Sequence, residues 1–419
     1  MATSTITLIV LAIAAILFVT EIIPLAVTAM SVPVILALTG VLDAKKEAFS
    51  GLMDTSVLLF AGMFVVGAAL FETGVAKKIG DSVVKIAGTS EIRLTFGVMF
   101  IAAALSAVLS NTGTTAVLLP VAIGIAGSAG WSRGKILMPL AFAAGMGGII
   151  TLVGTPPNLA ANAVLNTAKL PPFGFFEFAY IGIPITVAGI IYMLTLGRKL
   201  IPDRNPDDMS EEAVEEVKVV PFAKQFISVA ILLGVVLIMA FDIIPLHVAA
   251  ITGALLCVVT GCLNEKQAYR SIDWTTIFLF AGMLPLAKAM EITGAGAIIA
   301  DSVVGMMGDN VGPYAVMTAL FFLSAILSQF MSNTACAALL CPIGLAIANS
   351  LGASPQAIVL TIAVAASCAF ATPVGTPPNT LVLGPGGFKF VDYIKVGTPL
   401  IVICYLVCMA VIPIVWPFY

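Results

Sequence analysis

Ser110-Asn111-Thr112, then Val153-Gly154-Thr155-Pro156-Pro157-Asn158, returns later in the chain as Ser332-Asn333-Thr334, then Val374-Gly375-Thr376-Pro377-Pro378-Asn379. The step is 222 residues for the first motif and 221 for the second. Segments further out keep the same step. Glu21-Ile22-Ile23-Pro24-Leu25 returns as Asp242-Ile243-Ile244-Pro245-Leu246, and Phe60-Ala61-Gly62-Met63 as Phe280-Ala281-Gly282-Met283. Thr73-Gly74 and Asp81-Ser82-Val83-Val84 return as Thr293-Gly294 and Asp301-Ser302-Val303-Val304. Order and spacing hold across a whole half, so the chain reads as two copies of one unit: 1–200 and 225–419, joined by a polar linker at 201–224.

The surroundings of these motifs are apolar. Of 419 residues, 60% are hydrophobic and 10% charged, against roughly 25% charged in soluble domains. Apolar runs of membrane-spanning length recur from end to end, and the strict alternation of a transmembrane barrel is absent. The expected class is an all-α membrane protein. The first apolar run has no positive charge ahead of it and no small-residue cleavage site, so it reads as a first membrane helix rather than a removed signal. A net charge of −3 gives no nucleic-acid footprint. The seven cysteines show no metal-ligand or redox spacing and read as small buried residues. The one histidine, His247, follows a helix start at Pro245-Leu246 and reads as structural or interfacial.

In the first half, helices are expected near 5–22, 24–42 and 57–72, then an amphipathic stretch at 76–88. The run 94–127 follows, with Ser-Asn-Thr at its middle, then 136–165, broken at Gly-Thr-Pro-Pro, and 178–197. The run 94–127 is too long for one span and polar at its centre, so it reads as a re-entrant hairpin. That leaves an odd number of crossings per half, five by this reading, and two such halves in series must point in opposite directions. The predicted architecture is an inverted-topology repeat of about 10 transmembrane helices, two re-entrant hairpins and two broken helices. With the N-terminus outside, most of the 19 Lys and Arg residues fall on the cytoplasmic side, among them Lys77, Lys78, Arg93, Arg133, Lys135, Arg198 and Lys199. The outside keeps Lys45, Lys46 and Lys169, with Lys288 near a helix end; outer loops near 296–311 and 346–356 carry none. Positive charge inside therefore predicts an extracytoplasmic N-terminus in a multi-pass cell membrane protein.

Non-helical backbone at membrane depth is tolerated only where it is buried in protein or lines a cavity. At each Ser-Asn-Thr, the helix that starts the second hairpin arm presents free N–H groups and a positive dipole end, a ready anion site. The hydroxyls and the Asn amide add neutral donors, and their oxygens can face a cation. Two prolines in Gly-Thr-Pro-Pro-Asn force a break that frees carbonyls on one side, and hard carbonyl oxygens suit Na⁺. No Asp, Glu, Lys, Arg or His occurs in 94–127, 136–165, 178–197, 312–345, 356–385 or 396–417 apart from Lys135 just outside. The site is therefore expected to hold no titratable group and no fixed positive charge. Proton coupling, which uses intramembrane carboxylates or histidines, is disfavoured. A dianion among neutral donors in low dielectric is costly unless cations bind with it. Cys336, two residues past the second Ser-Asn-Thr, is expected to sense occupancy of the site.

On these paired motifs the chain resembles the divalent anion/sodium symporter family, the sodium-coupled carriers of dicarboxylates, citrate and sulfate within a wider ion-transporter superfamily. The resemblance covers nearly the whole chain. It implies a homodimer in the lipid bilayer working by an elevator motion, with scaffold parts at 1–88 and 225–308 and transport parts at 93–200 and 312–419. It implies a first sodium site from Ser106, Ser110, Asn111 and Gly154, and a second from Ser328, the backbone near Met331, Asn333 and Gly375. The carboxylates of a small dianionic substrate would meet Ser110, Asn111, Thr112, Ser332, Asn333 and Thr334, with Thr376 and Pro377 alongside. The substrate class implied is a C4 dicarboxylate such as succinate, malate or fumarate. A sodium-independent dicarboxylate exchanger and a sodium/sulfate symporter are the alternatives. The exchanger is expected to place a fixed positive charge near a sodium position, and none is visible. An intramembrane enzyme would need an Asp pair, a Ser-His or Ser-Lys dyad or a metal cluster at membrane depth, and the sequence offers none. A passive channel fits poorly with inverted repeats and broken helices, which argue for alternating access.

Overall fold

A computed structural model describes residues 2–79, 90–203, 221–307 and 312–418, and among these every regular element is helical. The expected amphipathic stretch at 76–88 and the linker at 201–224 fall largely outside the described residues. In the first half, α1 (Thr3–Thr20), α2 (Leu25–Leu38) and α3 (Thr55–Glu72) precede a hairpin of α4 (Glu91–Ser106) and α5 (Asn111–Ala129). Next come α6 (Gly134–Gly148) and α7 (Pro156–Thr167), the two pieces of a broken helix, and α8 (Ala179–Tyr192), which runs on through a π-helical turn at Met193–Gly197. The second half repeats the plan. It has α9 (Phe222–Ala240), α10 (Leu246–Val259), a short α11 (Glu265–Ser271), α12 (Trp274–Thr293) and α13 (Ala295–Met307). It then has a hairpin of α14 (Pro313–Leu327) and α15 (Asn333–Leu351), broken-helix pieces α16 (Pro355–Ala366) and α17 (Pro377–Leu383), and α18 (Phe390–Val415).

Seven described helices are long and apolar enough to cross a membrane unaided. Several others are shorter, for a physical reason. At 1.5 Å per residue, α4 reaches only about 24 Å before its turn, short of a hydrocarbon core of roughly 30 Å. The Pro-Pro pairs likewise split spans into α6/α7 and α16/α17. One expectation needs correcting: the segment 296–311, read as an outer loop, is helical over Ala295–Met307, and α15 runs to Leu351.

The halves interlock reciprocally. Helix α2 packs on α12, and α3 on α10, so each half lends its second helix to the third helix of the other. Gly62 and Gly282 make this possible. A Cβ on Gly62 would sit 2.6 Å from the Ala250 carbonyl carbon, and one on Gly282 would sit 2.2 Å from the Ala29 oxygen. At the ends of these helices, Thr73 Oγ1 lies 2.9 Å from Ser228 Oγ, and Thr293 Oγ1 lies 3.4 Å from Thr7 Oγ1. The rings of Phe60 and Phe280, equivalent residues, stack at 4.8 Å and 16°. Two equivalent residues in face-to-face contact place the pseudo-two-fold axis between them, as an inverted repeat requires. The remaining helices pair in the same crossed fashion: α7 packs on α16, and α17 on α6.

Candidate functional site

Both copies of both motifs meet at one cavity of about 700 Å³ between α3, α12 and the hairpin tips. Ser110, Asn111, Thr112, Ser332, Asn333, Thr334, Thr376 and Pro377 all line it, as do Gly154, Gly375 and Met331. Thr155 and Pro156, the first-half counterparts of Thr376 and Pro377, line it too. They were absent from the sequence-derived set, although the repeat points to them. Four helices begin here: α5 after Ser110, α15 after Ser332, α7 after Thr155 and α17 after Thr376. Their dipoles converge on the cavity, but they differ as donors. Helices α7 and α17 open on Pro-Pro and so lack the first two N–H groups. Backbone donation to an anion therefore falls to the two hairpin arms. Ser110 Oγ accepts from Gly113 N at 3.0 Å, which fixes the first turn of α5. Ser332 makes no such cap bond.

Behind the cavity surface lies a second arrangement. The inner end of the Asn111 amide is 2.6 Å from Ser106 Oγ and 3.2 Å from the carbonyl oxygens of Gly154 and Ala144. With its nitrogen turned inward, the amide donates to all three. With its oxygen inward, four oxygens from α4, α5, α6 and the helix break converge, and a cation is what such a cluster stabilises. In the second half, Asn333 faces the carbonyls of Gly375 at 3.2 Å and Ala366 at 3.1 Å. Ser328 Oγ is turned elsewhere and donates to Ala325 O at 3.1 Å. The first cluster therefore includes its serine and the second does not.

The breaks are held open by residues that sequence reasoning left without a role. Asn158 Nδ2 donates to the carbonyls of Gly148 and Ile149, each at 3.4 Å, and of Thr151 at 2.8 Å. Asn379 Nδ2 does the same for Ala369 at 2.8 Å and Thr372 at 2.9 Å. These amides satisfy carbonyls that the missing helical N–H groups leave behind. Thr151 Oγ1 donates to Ala107 O, and Thr372 Oγ1 donates to Gln329 O at 2.7 Å, each tying a break to its hairpin turn. Thr151 and Thr372 are also 221 residues apart, so the repeat could have found them.

Two expectations are corrected. The cavity does contain ionisable groups, because Glu21 and Asp273 line it. They lie at the C-terminus of α1 and the N-cap of α12, outside the motif-bearing runs, and reach the cavity only through tertiary packing. No Lys, Arg or His is among the described lining residues. Cys336 does not face the cavity. It is fully buried, with its sulfur 3.6 Å from Ser324 Oγ inside the second hairpin, because position 336 sits on the inner face of α15.

An all-helical inverted repeat with paired hairpins, paired broken helices and one central cavity defines a secondary membrane transporter, not an enzyme. The chain belongs to the citrate transporter family (CitMHS), which matches residues 15–343 and 312–418. An uncharacterized transporter of Haemophilus influenzae is 31% identical, with 95% of this chain and 88% of the relative covered. The sodium-dependent dicarboxylate transporter SdcS of Staphylococcus saprophyticus is 23% identical, with 91% and 80% covered. Among solved structures, the Alcanivorax borkumensis YdaH transporter, described as having an unusual topology, superposes with a TM-score of 0.64. It is 16% identical, with 90% of this chain and 87% of that one covered.

Proposed function

We propose that this protein is a sodium-coupled symporter of a C4 dicarboxylate or related divalent anion. The observation that carries this reading is the four-oxygen cluster of Asn111, Ser106, Gly154 and Ala144, set directly behind a cavity without fixed positive charge. The Asn111 amide bridges the two environments. When its oxygen turns inward onto a cation, its NH₂ turns outward and offers donors to a carboxylate. When its nitrogen turns inward, the cavity meets an acceptor, which repels an anion. The same logic holds for Asn333. Glu21 and Asp273 add negative charge at the rim, so a dianion enters against a repulsion that bound cations offset. That the relative SdcS carries the name of a sodium-dependent dicarboxylate transporter supports this substrate class.

Two donor arms facing each other across about 700 Å³ suit the two separated carboxylates of an extended diacid better than one compact tetrahedral anion. On the orientation with the N-terminus outside, Glu21, Ser271 and Asp273 lie toward the cytoplasm, and this conformation is inward-facing. Alternating access is an elevator motion: 93–200 and 312–419 carry the site past a scaffold of 1–88 and 225–308, which holds a homodimer. The deciding experiment is uptake into proteoliposomes of labelled succinate, with malate, citrate and sulfate as competitors, under Na⁺, K⁺ or choline. Succinate uptake that requires a Na⁺ gradient and is competed by malate is the expected result. Uptake unchanged when K⁺ or choline replaces Na⁺ sinks the coupling, and sulfate as the strongest competitor sinks the substrate class.

A further inference from the structure

The helix pieces before the two breaks end at different points. Helix α6 runs to Gly148, whereas α16 stops at Ala366, which corresponds to Gly145 in the first half. The second break is thus longer by most of a helical turn, and its extra peptide groups need partners. Gln329 supplies them. Its side-chain nitrogen donates to Cys368 O at 3.2 Å and to Ala325 O at 2.6 Å, and its side-chain oxygen accepts from Ala371 N at 2.9 Å. A primary amide carries the same donor and acceptor as a peptide group, so Gln329 stands in for the missing turn. It is buried, 6% exposed. The equivalent residue in the first half is Ala107, which has no side-chain donor. There Ile149 N and Ile150 N are satisfied by the carbonyls of Met146 at 3.1 Å and Gly147 at 3.0 Å.

The consequence concerns what joins each hairpin to its break. In the second half, Gln329 ties α14 to the unwound segment, in addition to the Thr372 bond and the Asn333 amide. In the first half only the Thr151 bond and the Asn111 amide join the hairpin to the break and α6, and Asn111 exchanges its partners when a cation binds. We infer that Gln329 is a positioning residue that docks the second hairpin without sodium, so that sodium binding orders the first hairpin and finds the second already ordered. This rests on the sodium-coupled reading above and adds a division of labour between the halves. Gln329 touches neither ion nor substrate; it acts by holding the carbonyls of the second break in place.

Hydrogen exchange of the purified full-length protein in detergent, in NaCl and in choline chloride, tests this. In the wild type, Na⁺ slows exchange at 104–116 roughly tenfold and at 326–338 by less than about threefold. Gln329→Met, which keeps the volume and removes both polar contacts, accelerates exchange at 326–338 in choline, and Na⁺ restores it. The second hairpin then responds as strongly as the first. The variant also raises the Na⁺ concentration for half-maximal uptake. Equal Na⁺ responses of the two hairpins in the wild type overturn the assignment. So does a Gln329→Met protein whose second hairpin exchanges faster by the same factor in both salts, since that is plain destabilisation. If Na⁺ alters neither hairpin and uptake ignores Na⁺, sodium coupling itself falls, and this inference with it.

Discussion

At the first hairpin, Ser106 Oγ points at the Asn111 amide and position 107 is alanine; at the second, Ser328 Oγ points back at Ala325 O and position 329 is glutamine. The motifs are identical and the breaks are capped alike by Asn158 and Asn379. The atoms behind the motifs nevertheless follow two plans. The first half gathers oxygens around one amide and leaves the hairpin tied to its break mainly through that amide. The second spends its polar groups on fastening hairpin to break. An internal repeat copies the groups that face the ligand. What supports them from behind has diverged, because the Ser328 and Gln329 side chains meet a break that is longer by most of a turn.

The strongest test is whether both halves are needed at all. Asn111→Ala and Asn333→Ala each remove an oxygen for a cation and two N–H donors for an anion. Each loss is expected to cost about 3 kcal/mol, or roughly 100-fold in uptake. Membrane insertion and yield should be unchanged, as neither side chain is packed in the core. Uptake close to normal in either variant would mean that the cavity is read from one side only, and the paired reading would be lost.

The serines separate the halves. Ser106→Ala removes a member of the first oxygen cluster and should raise the Na⁺ concentration for half-maximal uptake roughly tenfold. Ser328→Ala removes a hydroxyl already committed to Ala325 O and should raise it by no more than about twofold. Na⁺ titration of uptake at saturating substrate measures both. Equal shifts would show that Ser328 rotates toward Asn333 when sodium binds and that the clusters are equivalent in the loaded state.

The threonines test the fastening. Thr151→Val and Thr372→Val are near-isosteric and each removes one buried hydrogen bond, a net loss of about 1 kcal/mol. With no glutamine behind it, Thr151→Val should lower uptake at limiting Na⁺ about fivefold. Thr372→Val, with Gln329 still in place, should lower it about twofold. A larger effect of Thr372→Val would reverse the order of rigidity argued for the two hairpins.

The contrast also marks what could be read from the chain alone. The inverted repeat, the hairpins and the helix breaks were legible because each has a one-dimensional signature: a fixed step of 220 to 222 residues, a polar centre in an over-long apolar run, and Pro-Pro within a span. All eight residues expected against the substrate line the cavity for the same reason. The roles of Gln329 and Ser328 were not legible. They depend on where α16 stops, which no residue in 366–371 announces. Glu21 and Asp273 were missed because they belong to helix ends remote in sequence from the motifs. Thr151 and Thr372 were within reach, since they recur at the repeat step.

The smallest expected effect comes from the cavity rim, where the two halves differ by state rather than by chemistry. Glu21 and Asp242 are equivalent, and both take the left-handed conformation, with φ of 47° and 51°. Only Glu21 lines the cavity in this conformation. Being exposed, its charge acts through solvent and salt screens it. Glu21→Gln should weaken apparent Na⁺ affinity about twofold at roughly 0.01 M ionic strength, and the effect should fade near 0.15 M as the Debye length falls from about 30 to about 8 Å. Asp242→Asn should change nothing when Na⁺ is supplied from the side this cavity faces, and should act when Na⁺ comes from the other side. Sided Na⁺ titrations in oriented vesicles measure this. A Glu21 effect that survives high salt would mean direct contact with the ion. An Asp242 effect from the same side as Glu21 would break the two-sided symmetry that the inverted repeat requires of an alternating-access carrier.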